Sequence, residues 1–406
     1  MTYFFVLGNN PTLSIAEITA VFSGWPEIVN DQLLILDSQE NIQALQAIEK
    51  LGGTIKIGVI NSQCDKKDYQ KILKDILLMI EEKEISGKFK FGISNYGAKT
   101  IKEKNLGLDI KKCLKNKNIS CRWVTSSGTT LSSVVVEQNK LVSKGIEIIL
   151  AEINNKILIG QTLAVQPFKK LSFRDYGRPG RDDFSGMLPP KLARIMLNLA
   201  DVKIDKTILD PFCGSGTILT EAMLMGYKNV IGSDISLKAV EDTKKNIEWT
   251  KDNFQFSIFN FQLINANATQ MSEHLPLNSV DAIITEPYLG PQRGKIEIKQ
   301  VLEELNNLYS QSLTEFYKIL KPTGRIVMVW PIFTLLNTTK GNSTGFNLSQ
   351  GLKRLSPNLS NFEIINSLPQ ELLNDKKIKL TDRQTIIYCR PNQKVWREIV
   401  VLEKRD

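Results

Sequence analysis

Residues 207–225 confine this chain to few folds. There an apolar run, Thr207-Ile208-Leu209, passes through Asp210-Pro-Phe-Cys-Gly-Ser-Gly-Thr217 into renewed helical periodicity over 218–225. A buried strand that breaks into two glycines and reopens as a helix is the junction unit of an open α/β sheet. Such a junction brings unobstructed backbone N–H groups and a positive helix end to the carboxyl edge of a parallel sheet, where these folds bind nucleotide-like ligands. Two glycines after an acidic residue also fit a plain tight turn, so the next strand has to be weighed with them. It runs over 229–233 and ends at Asp234, 18 residues beyond Gly216. A carboxylate there suits both hydroxyls of a ribose; the plainer reading is a helix N-cap, for which Ser236 competes.

Two cofactor classes meet these requirements, a nicotinamide dinucleotide and S-adenosylmethionine. The glycines decide against the first. A pyrophosphate site asks for Gly-x-Gly-x-x-Gly, but positions 214–219 read Gly-Ser-Gly-Thr-Ile-Leu, with Leu219 where the third glycine would allow close helix packing. S-adenosylmethionine has no phosphates and asks less of the helix end. Asp210 is then placed to pair with the ammonium of its methionine part, while Gly214 and Gly216 make room for the chain.

A second element, Val280-Asp-Ala-Ile-Ile-Thr-Glu-Pro-Tyr-Leu-Gly-Pro291, is an apolar strand running into an acidic and aromatic turn stiffened by two prolines. Beside the cofactor, such a turn suits an extruded nucleobase: the ring stacks on Tyr288 while its exocyclic amine donates to Glu286 and to the Pro287 carbonyl. Stacking contributes roughly 1–3 kcal/mol and a charge-assisted hydrogen bond about 1.5–3 kcal/mol, enough to offset the few kcal/mol that extrusion costs. Accepting those N–H groups localises the nitrogen lone pair and directs it at a methyl sulfonium. The blander reading of the same letters is a turn carrying an exposed carboxylate.

These residues resemble the THUMP-domain tRNA guanine-N2 methyltransferases, the family that modifies guanosine 10 of tRNA in archaea and eukaryotes. The resemblance rests on 210–217 with Glu221-Ala222, on the Thr285 to Gly290 turn, on Arg174-Asp-Tyr-Gly-Arg-Pro179, on Ser185-Gly-Met-Leu-Pro-Pro-Lys-Leu-Ala-Arg194 and on Asn198-Leu-Ala200. Residues 151–166 resemble the closing strands of a THUMP domain and 1–22 the small domain before it, more loosely. The resemblance implies a doubly wound, Rossmann-like α/β methyltransferase sheet preceded by a smaller α+β THUMP-type RNA-binding region. It implies cofactor contacts from Asp210, Pro211, Phe212, Gly214, Gly216, Thr217, Asp234, Asn267 and Ala268. Glu286, Pro287 and Tyr288 take the catalytic positions. The reaction it implies is methyl transfer from S-adenosylmethionine to the exocyclic N2 of a guanosine in tRNA. Two rivals stay open, a DNA adenine or cytosine amino-methyltransferase, which uses a similar turn, and a non-catalytic RNA-binding protein.

The chain departs from the family at two places. The catalytic turn of the family reads Asp-Pro-Pro-Tyr-Gly, whereas this one reads Glu286-Pro-Tyr-Leu-Gly290. In the ungapped register glutamate replaces aspartate and the ring moves one place earlier; sliding by one puts Thr285 in the acceptor position. The first register is preferred because it keeps an ionised acceptor. The added methylene extends the carboxylate by about 1.5 Å, so the base or the loop must shift with it. Asn267 stands where the family often has an aspartate against the adenine amine, and an amide carbonyl accepts the same hydrogen bond.

Charge is distributed unevenly. Residues 51–200 carry 26 Lys and Arg against 14 Asp and Glu, 1–50 carry 1 against 6, and 201–406 carry 25 against 23. A basic region ahead of a near-neutral catalytic one suits capture of a phosphate backbone followed by base presentation, although lysine runs are often only solvated faces. Arg174, Arg178 and Arg181 either follow an RNA backbone or pair with Asp175, Asp182 and Asp183. Five scattered cysteines without Cys-x-x-Cys spacing indicate neither a disulfide framework nor a zinc site. Cys213 reads as a packing residue. The single histidine, His274, argues against Ser-His-Asp hydrolysis and most catalytic metal sites; no metal is expected. No signal peptide or membrane span is expected, since the apolar run 3–7 is short and Lys50 is the first basic side chain. Cytoplasm and a monomer are the expectations, with a helper subunit left open.

The domains expected are 1–60, an α+β domain; 61–165, a THUMP-like domain; 166–187, a linker rich in Pro, Gly and charge; and 188–406, the methyltransferase domain. A strand is expected at 3–7, a helix at 13–22 and a hairpin about Asn154-Asn155-Lys156. A helix should open at Leu188-Pro189-Pro190 and run to Ala200. Strands are expected near 207–210, 229–233, 261–266, 280–285 and 325–330, with a helix over 300–320 ended by Lys321-Pro322-Thr-Gly324. Later strands fall at 362–365, 384–389 and 396–402, two of them forming a hairpin about Pro391-Asn392. Residues 334–361 read as an Asn/Ser-rich excursion.

Overall fold

The computed structural model describes residues 1–85, 87–181, 187–254, 260–291, 297–334, 352–359, 361–389, 393 and 395–405. The chain forms two compact units, Met1–Pro167 and Phe168–Asp406.

The first unit is built on one eight-stranded sheet. Its strands are β1 (Thr2–Leu7), β2 (Trp25–Asn30), β3 (Leu33–Asp37), β4 (Thr54–Asp65), β5 (Phe89–Tyr96), β6 (Cys121–Val124), β7 (Gly145–Ile153) and β8 (Lys156–Val165), in the order β2-β3-β1-β4-β8-β7-β5-β6. Helices α1 (Pro11–Val21), α2 (Ala44–Lys50), α3 (Tyr69–Glu81), α4 (Glu103–Asn116) and α5 (Ser133–Gln138) connect them. The boundary expected between 60 and 61 falls inside β4, a twelve-residue strand paired with β1 along its first half and with β8 over nearly its whole length. A division there would break one ladder, so the two expected domains are one sheet. The β7–β8 hairpin turns on Asn154 and Asn155, both at positive φ (49° and 65°), the conformation for which asparagine is favoured in two-residue hairpins. In the middle of this sheet Lys56 and Glu147, both fully buried, form an ion pair, and Ser94 and Thr162 donate to the same carboxylate.

The first half of the expected linker is helical. Helix α6 (Phe168–Tyr176) occupies it, burying Leu171 and laying Phe173 against the rings of Trp249 and Phe254 at 5.0 and 6.1 Å between centroids. Pro167 precedes it and Gly177 closes it by donating to the Phe173 carbonyl. The Pro, Gly and charge content that suggested a linker is punctuation at the ends of a short amphipathic helix.

The second unit continues with α7 (Pro190–Leu199), β9 (Thr207–Asp210), α8 (Thr217–Met225), β10 (Asn229–Asp234), α9 (Leu237–Asn253), β11 (Asn260–Asn265), a 3-10 turn (Ala268–Glu273), β12 (Val280–Thr285), α10 (Ile298–Ile319) and β13 (Leu320–Thr334). It ends with β14 (Leu352–Arg354), β15 (Phe362–Ile365), β16 (Ile386–Tyr388) and β17 (Val395–Lys404). The sheet runs β11-β10-β9-β12-β13-β17-β15, parallel from β11 to β13, with β17 antiparallel to both its neighbours. β16 pairs with β17 as an antiparallel partner, while the expected turn at Pro391-Asn392 lies outside the described residues, as do 335–351 of the expected excursion. Because parallel strands are covered on both faces, they read as continuous apolar runs: Ile208-Leu209, Ala282-Ile283-Ile284 and Ile326-Val327-Met328-Val329 are all buried. Each Ile, Leu, Val or Met among them contributes about 1.5–3 kcal/mol on burial. The chain winds outward from β9 to β11 and then returns to β12 on the other side of β9, so the strand order reverses between β9 and β12. That reversal opens a crevice at the carboxyl ends of the two strands.

Candidate functional site

The two sequence motifs meet at this crevice. β9 and β12 pair in parallel, Leu209 opposite Ile283, and each ends in a motif residue, Asp210 and Thr285. The Thr285 hydroxyl, fully buried, donates to Asp210 Oδ1 at 2.7 Å, and the Phe212 N–H donates to the same oxygen at 3.2 Å. Both bonds fall on Oδ1, which leaves the lone pairs of Oδ2 for another partner. Burial raises the Asp210 carboxyl to about 7; the bonds from Thr285 and Phe212 oppose this, and the neighbouring charges of Asp234 and Glu286 add to it. A cation brought to Oδ2 would restore the charge of this carboxylate, so the site fits an ammonium ligand.

The glycine turn is fastened from behind by α9. Thr243 donates to the Gly214 carbonyl at 2.8 Å, and the Asn246 amide donates to the Ser215 carbonyl at 2.7 Å. Asn246 also exchanges two hydrogen bonds with Gly180, tying the segment after α6 to the same turn. Gly216, at φ 79°, leaves no space for a side chain, because a Cβ would lie 2.8 Å from Thr243 Cγ2. Gly214, at φ 53°, faces open space, with nothing within 4 Å of a Cβ position, as a cradle for a ligand requires. Leu219, in place of a third glycine, is accommodated from the opposite side: Gly232 on β10 would put a Cβ 2.4 Å from Leu219 Cδ1. The close helix-to-strand approach is retained with the glycine on the strand.

Asp234 closes the turn. Its Oδ2 accepts from the Gly214 N–H at 3.0 Å and its Oδ1 from the Ser236 N–H at 2.9 Å, while Ser236 itself caps α9 through the Ala239 N–H. The expected competition for the cap is resolved in favour of Ser236, and each Asp234 oxygen retains a lone pair. The Asn267 carbonyl oxygen accepts from the Thr269 N–H at 3.0 Å, capping the 3-10 turn that Ala268 begins. Pro211 is buried, Phe212 half-buried, and Thr217 opens α8. Cys213 is interior, its thiol pushed up by burial and by Asp210.

In the second motif the Thr285 hydroxyl faces Asp210 and is not presented outward. Glu286 is held by Arg397 of β17, with Nε to Oε1 at 2.5 Å and Nη2 to Oε2 at 3.3 Å. The Tyr288 side chain points out, 55% exposed, while Leu289, which takes the tyrosine position of the ungapped family register, is buried. The Tyr309 hydroxyl donates to the Tyr288 carbonyl at 3.0 Å, and Gly290, at φ 87°, turns the chain against Val301 and Phe333. The Pro287 carbonyl takes no hydrogen bond from any described residue.

The arginines expected along an RNA backbone require correction. Arg174 is 5% exposed and grips Glu221 through Nε (2.5 Å) and Nη2 (3.1 Å), and Arg194 donates to the other oxygen of Glu221 at 2.5 Å. Burial alone would raise the Glu221 carboxyl; Arg194 and Arg174 hold it below the usual carboxylate range. Arg178, also 5% exposed, donates to the Thr217 hydroxyl and to Met187 Sδ. Both guanidinium groups are interior braces for α8, out of reach of a phosphate backbone. Arg181 is half-buried, donating to the Tyr176 carbonyl at 2.9 Å and lying over the Tyr176 ring; Asp182 and Asp183 lie outside the described residues. Thr243, Asn246, Tyr309 and Arg397 were not legible as site residues. Arg397 is 111 positions from Glu286, and no spacing rule connects them. His274 is exposed, and no metal-ligating cluster occurs among the described residues.

Residues 178–343 match the family described as RMKL-like, methyltransferase domain, and residues 53–245 match a DNA methylase family. The chain is 36% identical over 181 residues to the tRNA (guanine(10)-N2)-dimethyltransferase of Methanothermobacter thermautotrophicus, and spans about half (48%) of that protein's length and 44% of its own. It is 28% identical to the Pyrococcus abyssi protein of the same name over 82% of this chain and 88% of the other. A protein of Methanothermococcus thermolithotrophicus named probable tRNA (guanine(10)-N2)-dimethyltransferase is 36% identical over 29% of this chain and 70% of its own length. In fold, the crystal structure of TrmN from Thermus thermophilus aligns over the whole of both chains with a TM-score of 0.53 at 17% identity.

Proposed function

The chain belongs to the tRNA guanine-N2 methyltransferase family, and from that premise we propose that it transfers a methyl group from S-adenosylmethionine to the exocyclic N2 of a guanosine in tRNA. The observation that carries this reading is the Thr285–Asp210 hydrogen bond, which brings the cofactor-type turn and the base-type turn to one crevice. Asp210 Oδ2 would hold the methionine ammonium, Asp234 the ribose hydroxyls, and Asn267 with the Ala268 backbone the adenine edge; Pro211, Phe212, Gly214, Gly216 and Thr217 form the turn around them. When bound, the cofactor supplies an electrophilic methyl on a sulfonium. The protein's own work is to present the nucleophile. Tyr288 offers its exposed ring for stacking, and Glu286 and the Pro287 carbonyl accept the two N2–H bonds, which localises the nitrogen lone pair. The proton leaves once the nitrogen has become cationic, so no separate general base is required.

The first unit, whose residues 51–167 carry 19 Lys and Arg against 11 Asp and Glu, serves in this reading as the THUMP-type RNA-capturing part, to which Arg181 of the second unit would add; Arg174 and Arg178 have no part in it. A cytoplasmic location accords with the substrate, and no helix among the described residues is long and apolar enough to cross a membrane. The DNA methylase match over 53–245 favours a second reading, amino-methylation of DNA adenine or cytosine. Incubation with labelled S-adenosylmethionine and total tRNA, followed by mass spectrometry of the nucleosides, tests the first reading in parallel with Glu286→Ala. N2-methylguanosine formed by the wild type and lost in the variant supports it. Label entering duplex DNA in preference to tRNA at physiological salt overturns it.

A further inference from the structure

We propose that Arg397 sets the base specificity of the site: it holds Glu286 as an acceptor-only carboxylate, so that the crevice takes a nucleobase edge with two adjacent N–H donors and rejects edges in which an amine flanks a lone pair. This rests on the proposed function and names the group that makes guanine the substrate.

The anchoring is rigid. Arg397 sits inside β17 with a ladder partner on each side, Pro331 of β13 and Tyr388 of β16, and its side chain is 10% exposed. Its fork engages both oxygens of Glu286. An ionised carboxylate has about four lone-pair sites; the fork takes one on each oxygen and leaves one on each. Glu286 remains 13% exposed, so it is not sealed behind the guanidinium. Two parallel acceptors with no donor are what remains.

That pattern discriminates among bases. Guanine presents N1–H beside its 2-amine, two donors pointing the same way. Adenine sets its 6-amine beside the N1 lone pair, and cytosine its 4-amine beside the N3 lone pair, so each would meet the carboxylate with one attraction and one repulsion. A protonated Glu286 would reverse this, because its O–H would donate to that lone pair. Three groups interact electrostatically with Glu286: Asp210 at the end of β9, Tyr309 on α10 and Arg397 on β17. Arg397 is the cation among them, and its fork fixes the direction in which the two acceptors point.

The test uses wild type, Arg397→Met, Arg397→Lys and Glu286→Gln. Each is given S-adenosylmethionine and a tRNA transcript with either guanosine or 2,6-diaminopurine riboside at the methylated position. Diaminopurine keeps the 2-amine and replaces the N1–H donor with a lone pair. Wild type should prefer guanosine by roughly 10- to 100-fold in kcat/KM. Glu286→Gln, whose amide offers one acceptor and one donor, should bring the ratio near one. Arg397→Met should lower the ratio, and Arg397→Lys should recover part of it. The ratio is internal to each variant, so a reduced folded fraction does not alter it. An Arg397→Met ratio equal to that of wild type, or no preference in wild type, overturns the proposal while leaving guanosine methylation standing. A wild type that methylates adenosine or cytidine instead overturns both.

Discussion

The Thr285 hydroxyl and Asp210 Oδ1, 2.7 Å apart, join the last residues of two strands whose sequence positions differ by 75. Asp210 is fully buried and sits at about 7 because of that burial, with the Thr285 bond working to lower it. Thr285→Val removes the bond and raises the carboxyl further. If ionised Asp210 holds the cofactor ammonium, affinity for S-adenosylmethionine rises with pH through about 7 in the wild type. In Thr285→Val that rise should move to higher pH, and in Thr285→Ser it should return. Titration calorimetry across pH reads this directly, and an unshifted profile in the valine variant would disconnect the bond from binding.

The same carboxyl makes stability depend on pH. Its folded value lies above the unfolded one, so its contribution is complete below about 4 and is lost as pH rises through about 7. At 1.36 kcal/mol per unit the loss amounts to roughly 4 kcal/mol at most. The melting temperature of ligand-free protein should therefore fall between pH 5 and pH 8, and Asp210→Asn should flatten that part of the curve. A slope unchanged by the substitution would assign it to other groups.

Glu221 is the common partner of two interior cations, Arg174 and Arg194. Glu221→Ala leaves both uncompensated and should cost about 3–5 kcal/mol in denaturant unfolding. A loss below 1 kcal/mol would mean that water reaches the arginines once the carboxylate is gone.

Gly232 and Leu219 are in close contact across β10 and α8. Gly232→Ala should destabilise by about 1–3 kcal/mol through overpacking, and Gly232→Ala with Leu219→Val should recover part of that by withdrawing the clashing methyl. A double variant less stable than the sum of the two single ones contradicts the contact.

Tyr288 is 55% exposed, so its removal should leave the unfolding midpoint nearly unchanged. Tyr288→Ala should lower kcat/KM on tRNA by roughly 5- to 150-fold, the range of a lost base stack, and Tyr288→Phe should restore most of it. Equal activity in the alanine variant would remove stacking from the mechanism.

Much of the second unit could be read from local pattern. Buried parallel strands must be apolar throughout and end where glycine, proline or charge allows a turn, so the runs at 207–210, 229–233 and 280–285 appear within a residue of the observed strands. The 166–187 segment misled because a nine-residue helix carrying two lysines, an arginine and an aspartate has little periodicity to show. The boundary expected at 60/61 falls within β4 because nothing local marks how far such a strand continues.

By itself the sequence determined the strand–turn–helix junction, the positions of Asp210, Asp234 and Glu286 at strand ends, and the glycines that the turn needs, because backbone conformation and burial periodicity act over a few residues. Only the tertiary structure decided what those side chains face. Arg174 and Arg178 turned inward to Glu221 and Thr217, Gly232 supplied the space that Leu219 removed, and Arg397 came to Glu286 from across the sheet. The physical reason is that an ion pair or a packing gap depends on separation in space, which the ladder order of the sheet sets, and that order is encoded by no single stretch of chain.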